Sequence, residues 1–289
     1  MPARLDFSRE RATWPNADAS AFVEAAGMRW HVQRMGEGPV LLLVHGTAAT
    51  THSFRDLMPI LARRFDVIAC DLPGHGFSDP APHPPTLPAV ARGIAELMGA
   101  LGAAPALALG HSAGAAILVR AALDGLLAPR GIVGVNAAIM PFEGFAGRVF
   151  SPLAKLLVIN PFVPRLFAAG ADAASVERLL AQTGSRLDAA GVALYARAIA
   201  SPGHVAGALA MMAHWNLDAL VEDLTRLSTP LLLVVGERDR AVPPLDSRRV
   251  RALVRHARLE HLPRLGHVAH EEAPEAVAGL VEGFWGEVG

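Results

Sequence analysis

The sequence predicts an α/β fold: one mostly parallel central sheet flanked by helices, with an inserted all-helical cap. Three observations carry this expectation. Short continuous apolar runs, the mark of strands buried on both faces, alternate with stretches of helical spacing. Turn residues punctuate the alternation, with 27 Gly and 22 Pro among 289 residues. The rhythm then fails over residues 138–224 and resumes afterwards, so the helical part reads as an insertion into one core.

After a polar leader, residues 21–35 read as two short strands around Gly27. Residues 39–44 (PVLLLV) form an apolar run that stops at His45-Gly46. Residues 53–64 have helical spacing through Phe54, Leu57 and Leu61. A strand at 65–70, a Pro/Gly-rich loop at 71–88 and a helix at 89–101 follow. The next unit is a strand at 105–109, a sharp turn, a helix at 115–127 and a strand at 130–137. Residues 138–224 show only helical segments, broken by Pro141, Pro152, Pro161, Pro164 and Pro202. Strands return at 230–235 and 258–262, with helices at 245–255 and 271–285. The domain expectation is a core of 1–137 and 225–289 and a cap of 138–224.

Bulk properties exclude several function classes. A formal net charge of −1 gives no electrostatic basis for a nucleic-acid partner. The single cysteine, Cys70, cannot form an internal disulfide, suits a reducing cytoplasm, and ends an apolar run, as a buried structural thiol would. The leader lacks the apolar region of a secretory signal, and no apolar stretch approaches the roughly 18 residues of a spanning helix. The mean hydropathy of +0.33 is high, which implies a large core or apolar surface facing a ligand or a membrane.

The chemistry centres on Gly110-His111-Ser112-Ala113-Gly114, a G-x-S-x-G between an apolar strand and a helix. A serine hydroxyl is a weak nucleophile unless it is exposed beside a base. A tight strand-to-helix turn exposes it, the flanking glycines remove side chains that would clash, and the helix N-terminus faces the reaction centre. An acid and then a base are expected later in the chain. Asp239 follows the strand at 230–235, with Glu237 as its rival and a surface ion pair with Arg238 as the bland alternative for either. His267 follows the strand at 258–262, with His261 and His270 as alternatives. The backbone N–H groups of Thr47 and Ala113 are the expected oxyanion donors, although His45-Gly46-Thr47 also reads as an ordinary glycine turn. His45 and His111 are expected to pack or orient. The loop Asp71-Leu72-Pro73-Gly74-His75-Gly76 matches no phosphate-binding pattern and reads as a structural wall of the site. No Cys/His cluster has zinc spacing, so neither a metal nor a cofactor is expected.

Together these motifs resemble the α/β-hydrolase superfamily over nearly the whole chain. Within it, capped enzymes that dehalogenate haloalkanes or open epoxides carry aspartate where this chain has Ser112, so the resemblance implies acyl rather than alkyl transfer. A narrower resemblance lies in Trp14-Pro15-Asn16, the segments 22–25 (FVEA) and 29–32 (RWHV), Asn136-Ala137-Ala138, Pro141-Phe142, the segment 150–155 (FSPLAK) and Asn160-Pro161. These are similar to the magnesium-chelatase accessory group of bacteriochlorophyll synthesis, itself homologous to α/β-hydrolases. That likeness implies a role near magnesium insertion into protoporphyrin, with magnesium chelatase as a partner.

The cap is rich in apolar residues independently of the resemblance. Phe142, Phe145, Phe150, Leu153 and Phe162 are the candidate substrate-binding residues, although most such side chains simply pack a cap on its core. Arg148, Lys155 and Arg165 are candidates to meet the carboxylates of a tetrapyrrole, though cations on a cap are more often just solvated. The expected function is hydrolysis of an ester or related acyl bond in a bulky apolar substrate, a porphyrin-pathway intermediate in the narrower reading. The alternatives are a general carboxylesterase or carbon–carbon bond hydrolase, and a non-catalytic pigment carrier or chelatase partner. The expected location is the cytoplasm, with peripheral contact between the cap and the photosynthetic membrane.

Overall fold

The computed structural model describes residues 3–141, 160 and 162–289. Its framework is a sheet with eight strands among the described residues: β1 (Ser20–Ala25), β2 (Met28–Met35), β3 (Val40–Val44), β4 (Asp66–Cys70), β5 (Leu107–His111), β6 (Gly131–Val135), β7 (Leu231–Gly236) and β8 (Ala257–Leu262). The spatial order is β1-β2-β4-β3-β5-β6-β7-β8. β1 and β2 form the antiparallel hairpin expected around Gly27, and β2 joins β4 antiparallel. From β4 to β8 every pair is parallel.

The inner strands β3, β6 and β7 are apolar throughout because alternate residues serve two different cores. Leu42 and Val44 of β3 pack with Ile68, Ala108, Leu231 and Leu233 on one face. Leu41 and Leu43 pack with Val67, Leu107, Val133 and Val234 on the other. Helices α3 (Leu87–Ala100) and α4 (Ala113–Leu123) cover the first face. The short α2 (Leu57–Leu61) and the C-terminal Pro274–Val288 helix cover the second. Each fully buried Leu, Ile or Val contributes about 1.5–3 kcal/mol over its exposed form. Cys70 is wholly buried, and burial pushes its thiol well above the ordinary range, as suits a structural residue.

Two helices differ from the sequence expectation. Residues 53–64 yield a 3₁₀ turn at Thr51–Phe54 and then only the five residues of α2. The last helix divides into Ala269–Glu272 and Pro274–Val288, because Pro274 lacks the N–H that a continuous ladder needs and instead starts the second piece.

Between β6 and β7 the described residues are helical: α5 (Val163–Ala169), α6 (Ala173–Gln182), α7 (Ala189–Ile199), α8 (Pro202–Ala213) and α9 (Asp218–Asp223). Local chemistry starts several of them. Asp172 caps α6 in a reciprocal pair with Ser175, Asp188 caps α7, and Ser201 with Pro202 opens α8. Val176, Leu180, Val192 and Tyr195 close over Ala49, while Met211, Leu217 and Leu220 join the core cluster beside α3 and α4. No helix among the described residues is long and apolar enough to cross a membrane.

Candidate active site

The chain runs from β3 outward to β4 and then back across β3 to β5, so β3 and β5 are neighbours where the winding reverses. Ligands in such sheets bind beyond the carboxyl ends of the strands at that point. Val44 pairs with Gly110 there, which places the segment after β3 beside Ser112.

Ser112 sits between β5 and α4 at φ 50°, ψ −117°, a conformation that non-glycine residues rarely adopt. Its N–H donates to the Val135 carbonyl at 3.0 Å, and its own carbonyl accepts from Ala115 and Ala138, each at 3.1 Å. The turn depends on its glycines. A Cβ at Gly110 would lie 2.3 Å from the Ala115 nitrogen, and one at Gly114 would lie 2.1 Å from the Val44 carbonyl oxygen. Gly46 approaches so closely that a Cβ there would stand 3.0 Å from that of Ser112.

The peptide that carries the Thr47 N–H is held from below by His45. Leu72 N–H donates to His45 Nε2 at 2.9 Å, so the ring proton is on Nδ1, which donates to the Gly46 carbonyl at 2.7 Å. In a planar trans peptide the Thr47 N–H then points the opposite way. Burial lowers the pKa of His45, which keeps it neutral and in that tautomer.

His267 Nδ1 lies 2.8 Å from Asp239 Oδ2, and the Asp239 side chain is fully buried. Asp239 Oδ1 accepts two further bonds, from the N–H groups of Ala241 and Val242, both at 2.8 Å. The carboxylate is therefore fixed, and it places the His267 proton on Nδ1, leaving Nε2 as the acceptor. Glu237 is exposed and faces His261 at 3.7 Å instead. His270 is buried, with Nε2 2.6 Å from Ser53 Oγ, and burial holds its pKa down at about 3. Beyond Ser53, burial pushes the Glu271 carboxyl up to about 8, against the opposing pull of Tyr195, Arg55 and Ser53.

Two further residues, His111 and Asn136, hold the His267 loop. His111 Nε2–H donates to the His267 carbonyl at 2.9 Å, which gives a residue expected only to pack or orient a specific orienting contact. Asn136, at φ 45°, donates to the carbonyls of Gly266 and His267 at 2.8 and 2.7 Å and accepts from Gly236 N–H at 2.7 Å. It thereby ties β7 to the loop after β8, a role that one asparagine at a strand end does not advertise in sequence. Asn136→Ala takes the side-chain partner from the Gly266 carbonyl and the Gly236 N–H, leaves the His267 carbonyl to His111 alone, and is expected to cost about 2–4 kcal/mol. Thermal or urea unfolding checks this, together with a lowered kcat as His267 loosens.

Ser112, His267, Thr47 and Ala113 line a single cavity of about 700 Å³, within the usual range for small-molecule sites. Leu179, Met212, Ala213, Trp215, Leu217 and Val242 give it an apolar wall, and Thr183, His214, Asn216 and Asp218 add polar groups. Among the described residues its lining includes neither Lys nor Arg. Phe142, Phe145, Phe150 and Leu153 lie outside the described residues, as do Arg148 and Lys155. Phe162 is 68% exposed beside the Arg165 guanidinium and is not among the residues lining this cavity. Among the described residues the apolar wall comes largely from α8 and the turn after it, where single apolar residues at helical spacing look like ordinary packing. Among the described residues no group of three or more His, Cys, Asp or Glu is arranged to hold a metal ion.

Comparison with known proteins agrees with this architecture. The family model for the alpha/beta hydrolase fold matches residues 39–274. The chain is 41% identical over 274 residues to the "Magnesium-chelatase 30 kDa subunit" of Rhodobacter capsulatus, covering 93% of this chain and 95% of that one. It is 30% identical to the "Pimeloyl-[acyl-carrier protein] methyl ester esterase" of Xanthomonas axonopodis pv. citri, covering 87% and 98% respectively. A crystal structure of an alpha/beta hydrolase fold protein from Burkholderia ambifaria superposes with a TM-score of 0.75 at 25% identity, covering 97% and 99%.

Proposed function

The chain belongs to the α/β-hydrolase fold family, and from that premise we propose that it is a serine hydrolase. Its substrate is an ester or related acyl bond in a bulky apolar molecule, and it works beside the magnesium-insertion stage of bacteriochlorophyll synthesis. The observation that carries the catalytic part is the Asp239–His267 pair opening into the same cavity as Ser112.

In this reading Ser112 Oγ attacks the acyl carbon while His267 Nε2 takes its proton. The oxyanion develops against the N–H groups of Thr47 and Ala113. His267 returns the proton to the leaving alcohol as the C–O bond breaks, and the acyl group remains on Ser112. Water then attacks that ester, His267 takes its proton, and Ser112 Oγ recovers a proton as the acid departs. Asp239 holds the Nδ1–H tautomer throughout.

The apolar wall favours a bulky apolar acyl or alcohol portion, and the insertion at 138–224 acts as the cap over it. The pathway and a contact with magnesium chelatase rest on the likeness to the Rhodobacter capsulatus subunit. Exposed Phe162, which precedes α5, and exposed Leu166 and Phe167 on it support peripheral contact with a membrane from the cytoplasmic side. Likeness to a methyl ester esterase favours a second reading, a carboxylesterase of smaller substrates with the same machinery.

The test is complementation of a strain lacking this protein. Wild type is expected to restore bacteriochlorophyll, and Ser112→Ala is not. Equal restoration by both would keep the pathway and remove the catalytic role. Unchanged pigment and intermediates in the deletion strain would remove the pathway.

A further inference from the structure

We propose that His204, on the helical insertion, is a positioning residue for the oxyanion loop: it ties Ala48 to the loop after β4, so that seating of the insertion sets the direction of the Thr47 donor. The proposal rests on the serine-hydrolase reading above.

His204 lies in the first turn of α8 with its side chain buried. Gly76 N–H donates to its Nδ1 at 3.1 Å, and a backbone N–H can only donate, so the ring proton is on Nε2. Nε2–H meets the Ala48 carbonyl at 3.1 Å. Burial holds the His204 pKa down at about 4, so the ring is neutral near pH 7 and keeps this tautomer.

Ala48 needs holding. Its φ of 64° is left-handed, which strains an L-residue and persists only where neighbours enforce it. The next residue, Ala49, donates its N–H back to the Gly46 carbonyl at 3.2 Å. Release of Ala48 therefore shifts the Gly46–Thr47 peptide, whose N–H is the proposed oxyanion donor. His45 grips that same carbonyl from the core, and His204 grips the following turn from the insertion.

Further along the same face of α8, Gly207 lies against Gly74, where a Cβ would come within 2.2 Å of the Gly74 carbonyl oxygen. Met211, one turn beyond, brings its sulfur 3.9 Å from Thr47 Oγ1, and Met212 lines the cavity. One helix thus connects the wall that meets substrate to the peptide that meets the oxyanion.

Two near-isosteric variants separate the two hydrogen bonds. In His204→Asn the amide oxygen stands near Nδ1 and keeps Gly76 while losing Ala48. In His204→Gln the amide nitrogen stands near Nε2 and keeps Ala48 while losing Gly76. With p-nitrophenyl butyrate, His204→Asn is expected to lower kcat about tenfold with KM held within about twofold, the scale of one lost orienting hydrogen bond. His204→Gln is expected to stay within about threefold of wild type. Amide exchange at residues 47–49 should rise in the Asn variant only.

Equal kcat losses in the two variants, or unchanged exchange in His204→Asn, would overturn the proposal. If Ser112→Ala turns over the ester like wild type, the serine reading has failed, and the exchange comparison alone decides whether His204 holds Ala48. Should a variant not fold, ¹⁵N shifts of the wild-type ring decide the matter: Nε2–H is required, and Nδ1–H would overturn it.

Discussion

Ser112→Ala is expected to lower kcat on an activated ester by about 10⁴ to 10⁶, with little change in KM. The substitution removes the nucleophile and leaves the cavity wall, the Asp239–His267 pair and the proposed donors in place. What survives is slow attack by water with His267 as base, helped by the oxyanion site. The fold should not suffer. Alanine at φ 50° carries the same backbone strain as serine, and Ser112 is joined to its neighbours through main-chain bonds that alanine keeps. Melting temperatures of the two proteins should agree within about 3 °C, which separates lost chemistry from lost structure.

Asp239→Asn is expected to cost about 10⁴ in kcat, again with the fold retained. The geometry dictates how. Ala241 and Val242 both donate to Oδ1, so the amide oxygen of asparagine must take that place. The amide nitrogen is then forced toward His267 Nδ1, where it donates instead of accepting. The ring proton moves to Nε2, and a protonated Nε2 cannot receive the proton of Ser112. The ¹⁵N shifts of the His267 ring report this tautomer change directly, alongside the kinetics. A loss of less than about tenfold would show that Asp239 does not orient the base.

Most of the framework was legible because it rests on local pattern. Residues 39–44 announce β3 through an apolar run whose odd and even members feed two cores. G-x-S-x-G announces the turn at Ser112 because close packing at Gly110 and Gly114 leaves no choice of residue. Asp239 and His267 follow from chain order and meet at 2.8 Å.

What escaped the sequence is long-range. His204 and Ala48 are 156 residues apart, as are His111 and His267, and nothing local marks either pair. Asn136 reads as the end of a strand until its amide is seen tying two loops together. Pro274 was a local signal for dividing the last helix, and the apolar spacing on either side of it masked that break. Among the described residues the cavity wall takes Met212 from α8 and Trp215 from the turn after it, and such single apolar residues are placed near Ser112 by tertiary packing that no local pattern marks.

Covalent labelling tests the activation of Ser112 most directly. The protein is treated with a fluorophosphonate at neutral pH, digested, and the modified peptide identified by mass spectrometry. An activated serine predicts a single adduct, on Ser112, that forms far more slowly in His267→Ala and not at all in Ser112→Ala. Absence of an adduct in folded wild-type protein, or an adduct on another residue that forms as fast without His267, would contradict it.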